Sequence, residues 1–185
     1  MLKNQEEYTV GITDLSDTGK GIGRIEEMEG MVDTKNEKDY IPNRMKLEFS
    51  SRSENESFAR IAVAAFIAPL DPTVEELTEI KTAVSEAVSN AIIHAYGENE
   101  NGMVTVECAV EQDRRVVVTV IDNGVGIEDI ELAKEPLYTS KPGEERSGMG
   151  FTVMESFMDK LEVESAPGTG TRVTMIKNLD LTYEF

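Results

Sequence analysis

From Met45 onward the apolar and polar residues recur with two distinct periods, and each period predicts its own elements. Residues 46–50 alternate as a strand. Ser53 followed by Glu56 has the spacing of a capping box and opens an apolar helix that ends before Pro69. Asp71-Pro72-Thr73 starts a second helix, with Pro72 in its first turn and Gly97 at its C-terminal cap. Along that helix Leu77, Ile80, Val84, Val88, Ala91 and Ala95 recur at helical spacing and form the expected core stripe. Two alternating strands, 103–110 and 115–121, are joined by the polar Glu111-Gln112-Asp113-Arg114 and predict a hairpin. A long polar segment with Pro136 and Pro142 leads to a helix over about 150–159. Strands 161–165 and 171–176 then flank the turn Pro167-Gly168-Thr169-Gly170. Helices and strands in blocks, with antiparallel pairs predominating, predict an α/β two-layer sandwich: a mixed, mostly antiparallel sheet with helices on one face.

Residues 1–44 do not follow this pattern. Tyr8-Thr9-Val10-Gly11-Ile12 predicts a short strand, Gly19-Lys20-Gly21-Ile22-Gly23 a turn, and 33–39 is charged and featureless. The expected organisation is an N-terminal extension and linker over 1–44 and one folded domain over 45–185, consistent with a chain of 185 residues.

The charge narrows the partners. With 36 acidic against 18 basic residues the net charge is −18, which disfavours direct DNA binding and wholesale contact with any phosphate backbone, and favours a basic protein partner. The single cysteine, Cys108, lies in an alternating apolar run and predicts a buried strand residue in a reducing compartment. No apolar run approaches the ~18 residues needed to span a bilayer, and the N-terminus lacks a signal-peptide pattern, so a cytoplasmic protein without membrane contact is expected.

Three stretches carry the chemistry. Glu86, Asn90 and His94 are spaced four apart, so each is displaced by about 40° and roughly 6 Å from the last, forming a polar stripe off the core stripe. The Asn90 amide oxygen suits Mg²⁺, a hard cation completed by phosphates and waters, and Glu86 one turn away suits a general base. Asp122 ends an apolar strand ahead of Asn123-Gly124-Val125-Gly126, where a carboxylate could accept from an adenine amino group; the same residues also make an ordinary turn. Ser147-Gly148-Met149-Gly150 opens a helix whose free amides favour a phosphate, with Arg146 beside it and Lys141 upstream. Segment 135–147 has the length and composition of a mobile cover, or of a plain solvated loop. Gly170-Thr171 offers a hydroxyl toward the base. His94 fits a packing or capping residue better than a catalyst.

Together, Glu86-x-x-x-Asn90, Asp122-x-Gly124-x-Gly126, Gly148-x-Gly150 and Gly170-Thr171 resemble the N-box and glycine boxes of the GHKL ATPases and kinases. Asn55-Glu56-Ser57-Phe58-Ala59-Arg60, Leu70-Asp71-Pro72-Thr73, Glu79-Ile80-Lys81 and the run from Glu145 to Glu155 resemble the sporulation anti-sigma F factors of endospore-forming bacteria, over residues 43–185. That resemblance implies the Bergerat-type ATP-binding fold and a homodimer that holds a sporulation sigma factor inactive in its ATP state. It also implies a protein kinase acting on a serine of an anti-anti-sigma partner. By position, it implies Glu86 as general base, Asn90 as Mg²⁺ ligand and Asp122 as adenine contact. Gly124, Gly126, Gly148, Met149, Gly150 and Thr171 shape the ATP pocket, Arg146 approaches the phosphates, and Arg60 faces the partner. The run from Thr13 to Ile25 resembles the opening of a TRAM domain, a small RNA-binding β-barrel, without the rest of the barrel.

Three rival readings stand beside this one. One is a histidine-kinase catalytic domain, which normally follows a dimerisation helix bearing its phosphoacceptor histidine. Another is an ATP-gated sigma-binding module without turnover. The third is an RNA-associated protein led by 1–44, which the acidic charge disfavours.

Overall fold

A computed structural model describes residues 12–15, 21–23, 42–97, 99–135 and 148–180. The chain divides into two units, Met1–Tyr40 and Ile41–Phe185. In the first, strand β1 (Ile12–Leu15) pairs antiparallel with β2 (Gly21–Gly23), with an irregular register between Ile12 and Asp14. Gly21 to Gly23, expected within a turn, are therefore strand, whereas the strand expected over 8–12 lies outside the described residues except for Ile12.

The second unit is a five-stranded sheet in the order β3 (Asn43–Ser50), β4 (Met103–Val110), β5 (Arg115–Asp122), β7 (Gly170–Asn178), β6 (Lys160–Ala166), with every pairing antiparallel. Alternation decides which side is covered. Val116, Val118, Val120 and Asp122 all point to the helical layer, alongside Val104, Val106 and Cys108 of β4 and Val173 and Met175 of β7. Glu107, Thr119, Thr174 and Glu162 stand in register on the opposite face. Burial pushes the Cys108 thiol up to about 12, so it stays protonated and packs as a core side chain.

Helices α1 (Glu54–Ile67) and α2 (Val74–Asn90) lie on the covered face with α4 (Gly150–Phe157). The α2 stripe is buried as its period predicts at Ile80, Val84, Val88 and Ala91, and Leu77 packs against the cluster from a half-buried position. Fully burying such side chains contributes roughly 1.5–3 kcal/mol each, so this stripe is what holds α2 on the sheet. The short α3 (Ile130–Lys134), which the periodicity does not predict, starts where Asp129 accepts the N–H of Leu132 at 3.0 Å.

The helix starts differ from expectation. Ser53 makes no side-chain cap, because its backbone already has helical angles (φ −59°, ψ −32°) and its hydroxyl cannot reach forward; Glu56 bonds Arg60 instead, at 2.5 Å. The capping box forms one helix later. Thr73 Oγ1 accepts the N–H of Glu76 at 3.1 Å while Glu76 Oε2 accepts that of Thr73 at 2.7 Å, which leaves Pro72 outside the helix. Past Asn90 the helix widens into a π-turn over Ala91–Ala95 before Gly97, at φ +58°, ends it. Strand β3 starts earlier than expected, at Asn43, α4 stops at Phe157, and β6 and β7 each extend beyond their predicted ends.

Glu76 is more than a cap. Its Oε1 accepts the N–H of Asp180 at 2.8 Å and so ties the segment after β7 to the start of α2. Burial raises its pKa, but hydrogen bonds from the Thr73 and Asp180 N–H groups, from Thr73's side chain and the charge of Arg114 outweigh it, and the carboxyl is held below its ordinary value. The linked stability is full above the unfolded glutamate pKa and is lost as pH falls through the lowered folded value. Glu76→Ala is expected to cost about 2–4 kcal/mol in urea unfolding at neutral pH, from a lost cap and a lost charged hydrogen bond. Repeated at falling pH, the gap between the two proteins is expected to close below the ordinary carboxylate range.

Candidate active site

The site forms where the ends of β5 and β7 meet the C-terminal half of α2 and the start of α4. Asp122 is the last residue of β5 and, keeping the alternation of the valines before it, points into the covered side, where it is only 5% exposed. Its Oδ1 accepts two backbone N–H groups, from Gly124 at 2.9 Å and from Thr171 at 3.2 Å. Among the described residues Oδ2 has no such partner, which leaves it for a ligand donor. Burial raises the Asp122 pKa, and the two N–H bonds offset part of that rise.

The turn around Asp122 closes by backbone contact. A Cβ on Gly124 would lie 2.3 Å from the carbonyl oxygen of Ala95, one on Gly126 2.0 Å from that of Ala166, and one on Gly170 2.1 Å from that of Asp122. Gly126 and Gly170 also sit at φ +73° and +82°, where a side chain is strained. Beside this turn, an open cavity of about 250 Å³ is lined by Asp122, Asn123, Ser165, Gly170, Thr171 and Arg172 among others.

Glu86 and Asn90 are one turn apart on α2, both half-buried, and converge on the first residue of α4. A Cβ on Gly150 would meet Glu86 Oε2 and Asn90 Nδ2 at 3.1 Å each, and Asn90 Oδ1 at 3.3 Å. A carboxylate and an amide are thus aimed at a helix start whose first amides have no intrahelical partner. Met149 caps that helix without a side-chain bond, and Gly148 precedes it at φ +61°. Burial and then the charge of Glu56 raise the Glu86 pKa, in the direction that makes the carboxylate a stronger base. Glu56 is held by Arg60, whose Nη1 also lies 3.4 Å from Ser85 Oγ, next to the base.

The predicted residues therefore fall in two groups: Glu86 and Asn90 meet Gly150, just after Gly148 and Met149, while Asp122, Gly124, Gly126 and Thr171 gather at the turn against Ala95 past the end of α2, and Arg60 on α1 lies beside Ser85. Arg146 lies outside the described residues, as do Lys141 and most of segment 135–147. His94 sits in the π-turn that follows α2. Among the described residues no group of three or more His, Cys, Asp and Glu side chains could hold a metal, and no helix is long and apolar enough to cross a membrane.

Three contributors were not read from the sequence as part of the site. The hydroxyl of Tyr96 donates to the carbonyl of Met103 at 2.6 Å and accepts the N–H of Asn123 at 2.9 Å, pinning the end of α2 to the Asp122 turn. Its ring fills the space over Gly102, where a Cβ would lie 2.4 Å away. Ser165 bridges that turn to β7, and Glu56 bears on Glu86 across the helix pair. The hairpin closed by Pro167-Gly168-Thr169 places Ser165 opposite Thr171, a signal readable from turn length.

The chain is similar to known proteins over most of its length. A family model described as the histidine kinase-like ATPase domain matches residues 49–177. An anti-sigma F factor of Pasteuria penetrans is 64% identical over 138 residues, covering 74% of this chain and 91% of that protein. One from Clostridium perfringens strain SM101 is 61% identical over 140 residues, 76% of this chain and 99% of that protein. This chain belongs to the anti-sigma F factor family. Among solved structures, the RsbU and RsbW domains of a Mycobacterium tuberculosis protein superpose with a TM-score of 0.56 at 18% identity, over 77% of this chain and 34% of theirs, a likeness of fold. The anti-sigma F factor family and the ATPase domain confirm the two-layer α/β architecture read from the periodicity.

Asp122→Asn keeps an oxygen for the two N–H bonds but removes the buried charge and turns an acceptor toward the cavity into a donor. The expected result at pH 7 is a melting temperature equal to or above wild type, with adenine-nucleotide affinity lowered about 10- to 100-fold, the scale of one charged hydrogen bond. Calorimetric titration and a thermal melt on the same samples check both halves.

Proposed function

We propose that this chain binds a sporulation sigma factor and holds it inactive in its ATP state, and phosphorylates a serine on an anti-anti-sigma protein. The observation that carries the catalytic half is the convergence of Glu86 and Asn90 on Gly150 at the start of α4. The names of the relatives support the sigma-directed half. On this reading residues 45–185 form the kinase domain and 1–44 an extension, and the protein works as a cytoplasmic homodimer.

ATP, when bound with Mg²⁺, supplies the γ-phosphoryl group: the serine oxygen bonds to the γ-phosphorus as the bond to the bridging oxygen of ADP breaks. Asp122 Oδ2 accepts from the adenine amino group, which fits a buried carboxylate with one oxygen already satisfied. The Asn90 amide oxygen would hold Mg²⁺, a hard cation that prefers oxygen ligands, and the ion would neutralise phosphate charge. Gly148, Met149 and Gly150 present backbone amides to phosphate at the start of α4. Arg146 neutralises phosphate charge. Glu86 takes the proton of the serine hydroxyl, and its raised pKa makes it a stronger base for that task. Positioning and charge neutralisation are most of what phosphoryl transfer requires. Arg60 offers the partner a cation beside the base.

The test is transfer of label from γ-labelled ATP to the anti-anti-sigma protein. Wild type is expected to label a partner serine, and Glu86→Gln to lower the rate about 100-fold or more while ATP affinity stays near wild type, the signature of a lost general base. Loss of both transfer and binding in Glu86→Gln contradicts the assignment, and ATP binding without transfer in the wild type leaves a nucleotide-gated binding module.

A second expectation follows from the cause of the Glu86 shift. The base must be ionised, so the rate falls as pH drops through its raised pKa. Glu56→Gln removes one of the two causes and leaves Arg60 nearby, so the acid limb of the pH–rate profile is expected to move to lower pH with the plateau retained.

A further inference from the structure

The paired register of β4 and β5 ends with Val104 opposite Asp122, so the next residues to face each other are Met103 and Asn123. The hydroxyl of Tyr96 stands between those two. It donates its proton to the Met103 carbonyl at 2.6 Å and accepts the N–H of Asn123 at 2.9 Å. The direction of both bonds is fixed, because a carbonyl only accepts, a backbone N–H only donates, and a phenol has one proton and can also accept. The ring is seated by Gly102, where a Cβ would lie 2.4 Å from the nearest ring carbon. Tyr96 thus inserts one bridging group between the two strands at the point where β5 leaves the sheet and turns at Asp122.

The N–H that Tyr96 holds belongs to the peptide that joins Asp122 to Asn123. The other polar end of that planar group, the Asp122 carbonyl, abuts Gly170, where a Cβ would lie 2.1 Å from its oxygen. The plane is therefore held at both ends. That fixes the backbone angle ψ of Asp122 and with it the direction in which the carboxylate leaves the chain, Oδ1 toward the N–H groups of Gly124 and Thr171. We propose that Tyr96 is a positioning residue for base recognition: its hydroxyl, set between β4 and β5, holds the Asp122 turn so that the free carboxylate oxygen meets an amino donor of the ligand. Tyr96 touches no ligand in this role. Without the hydroxyl, the Asn123 N–H has the Met103 carbonyl as its next acceptor, and closing that gap draws the turn toward β4. This rests on the ATP reading above, with Asp122 as the base contact. The phosphate-facing amides of α4 belong to the other group of residues, so the effect is confined to the base.

The probe is purine riboside 5′-triphosphate, which is ATP with a hydrogen in place of the amino group. Calorimetric titration of the full chain with Mg²⁺ is expected to give wild type a preference for ATP of about tenfold or more, the scale of one hydrogen bond to a charged group. Tyr96→Phe keeps the ring over Gly102 and removes only the hydroxyl. It is expected to compress the preference to about threefold by weakening ATP and leaving the purine analogue unchanged. Gly102→Ala keeps the hydroxyl but forces the ring aside, and is expected to give the same compression, which serves as the reading if Tyr96→Phe melts too early to titrate. Equal weakening of both nucleotides in Tyr96→Phe, with the ratio preserved, overturns the proposal and leaves Tyr96 as a structural pin, whatever the melting temperature does. An unchanged affinity for both overturns it as well. A wild type that binds ATP and the analogue alike, or neither, overturns the reading of Asp122 as the base contact, and this proposal with it.

Discussion

Three backbone contacts at the end of the sheet leave no room for a side chain, and the site is built around them. Gly124 against Ala95, Gly126 against Ala166 and Gly170 against Asp122 each bring a Cα against a carbonyl that any Cβ would strike. These contacts join the end of α2, the turn after β5 and the β6–β7 hairpin into one cluster. Inside it, the carboxylate of Asp122 accepts the N–H groups of Gly124 and Thr171, and the desolvation of that carboxylate is partly offset by those bonds. A carboxylate held in this way keeps one oxygen committed to the protein and one open to a ligand, which is the property that lets a buried charge serve recognition.

The second half of the site depends on a helix. The apolar stripe of α2 fixes its rotation on the sheet, and that rotation puts Glu86 and Asn90 together at the start of α4. Raising the proton affinity of Glu86 takes the same burial that seats the helix, assisted by Glu56 from α1. Packing and chemistry are thus coupled. The α1–α2 pair that shields the base also carries Arg60, so a partner that draws Arg60 away from Glu56 and Ser85 acts on the surroundings of Glu86 directly.

Most of this was legible because the periods are long and clean. The α2 stripe, the β4–β5 hairpin and the glycines around Asp122 each follow from spacing alone, and the boxes they carry resemble those of the family. What was not legible is informative. Ser53 and Glu56 have the capping-box spacing, yet Glu56 bonds Arg60, since sequence spacing does not reveal the backbone angle at the cap. The π-turn at Ala91–Ala95, which contains His94, has no signature in hydrophobic period. Tyr96 and Ser165 act through contacts with residues 27 and 38 positions away, at Asn123 and Ile127 respectively, which no local pattern encodes. The α3 helix is too short for its periodicity to show.

In the proposed function Asp122 holds the base and Glu86 and Asn90 flank the transferred phosphate. A crystal structure with Mg²⁺ and a non-hydrolysable ATP analogue is then expected to show the adenine amino group on Asp122 Oδ2, Mg²⁺ on the Asn90 amide oxygen, and the Glu86 carboxylate beside the γ-phosphate. A nucleotide whose base is held elsewhere, or whose triphosphate runs away from α2, contradicts it.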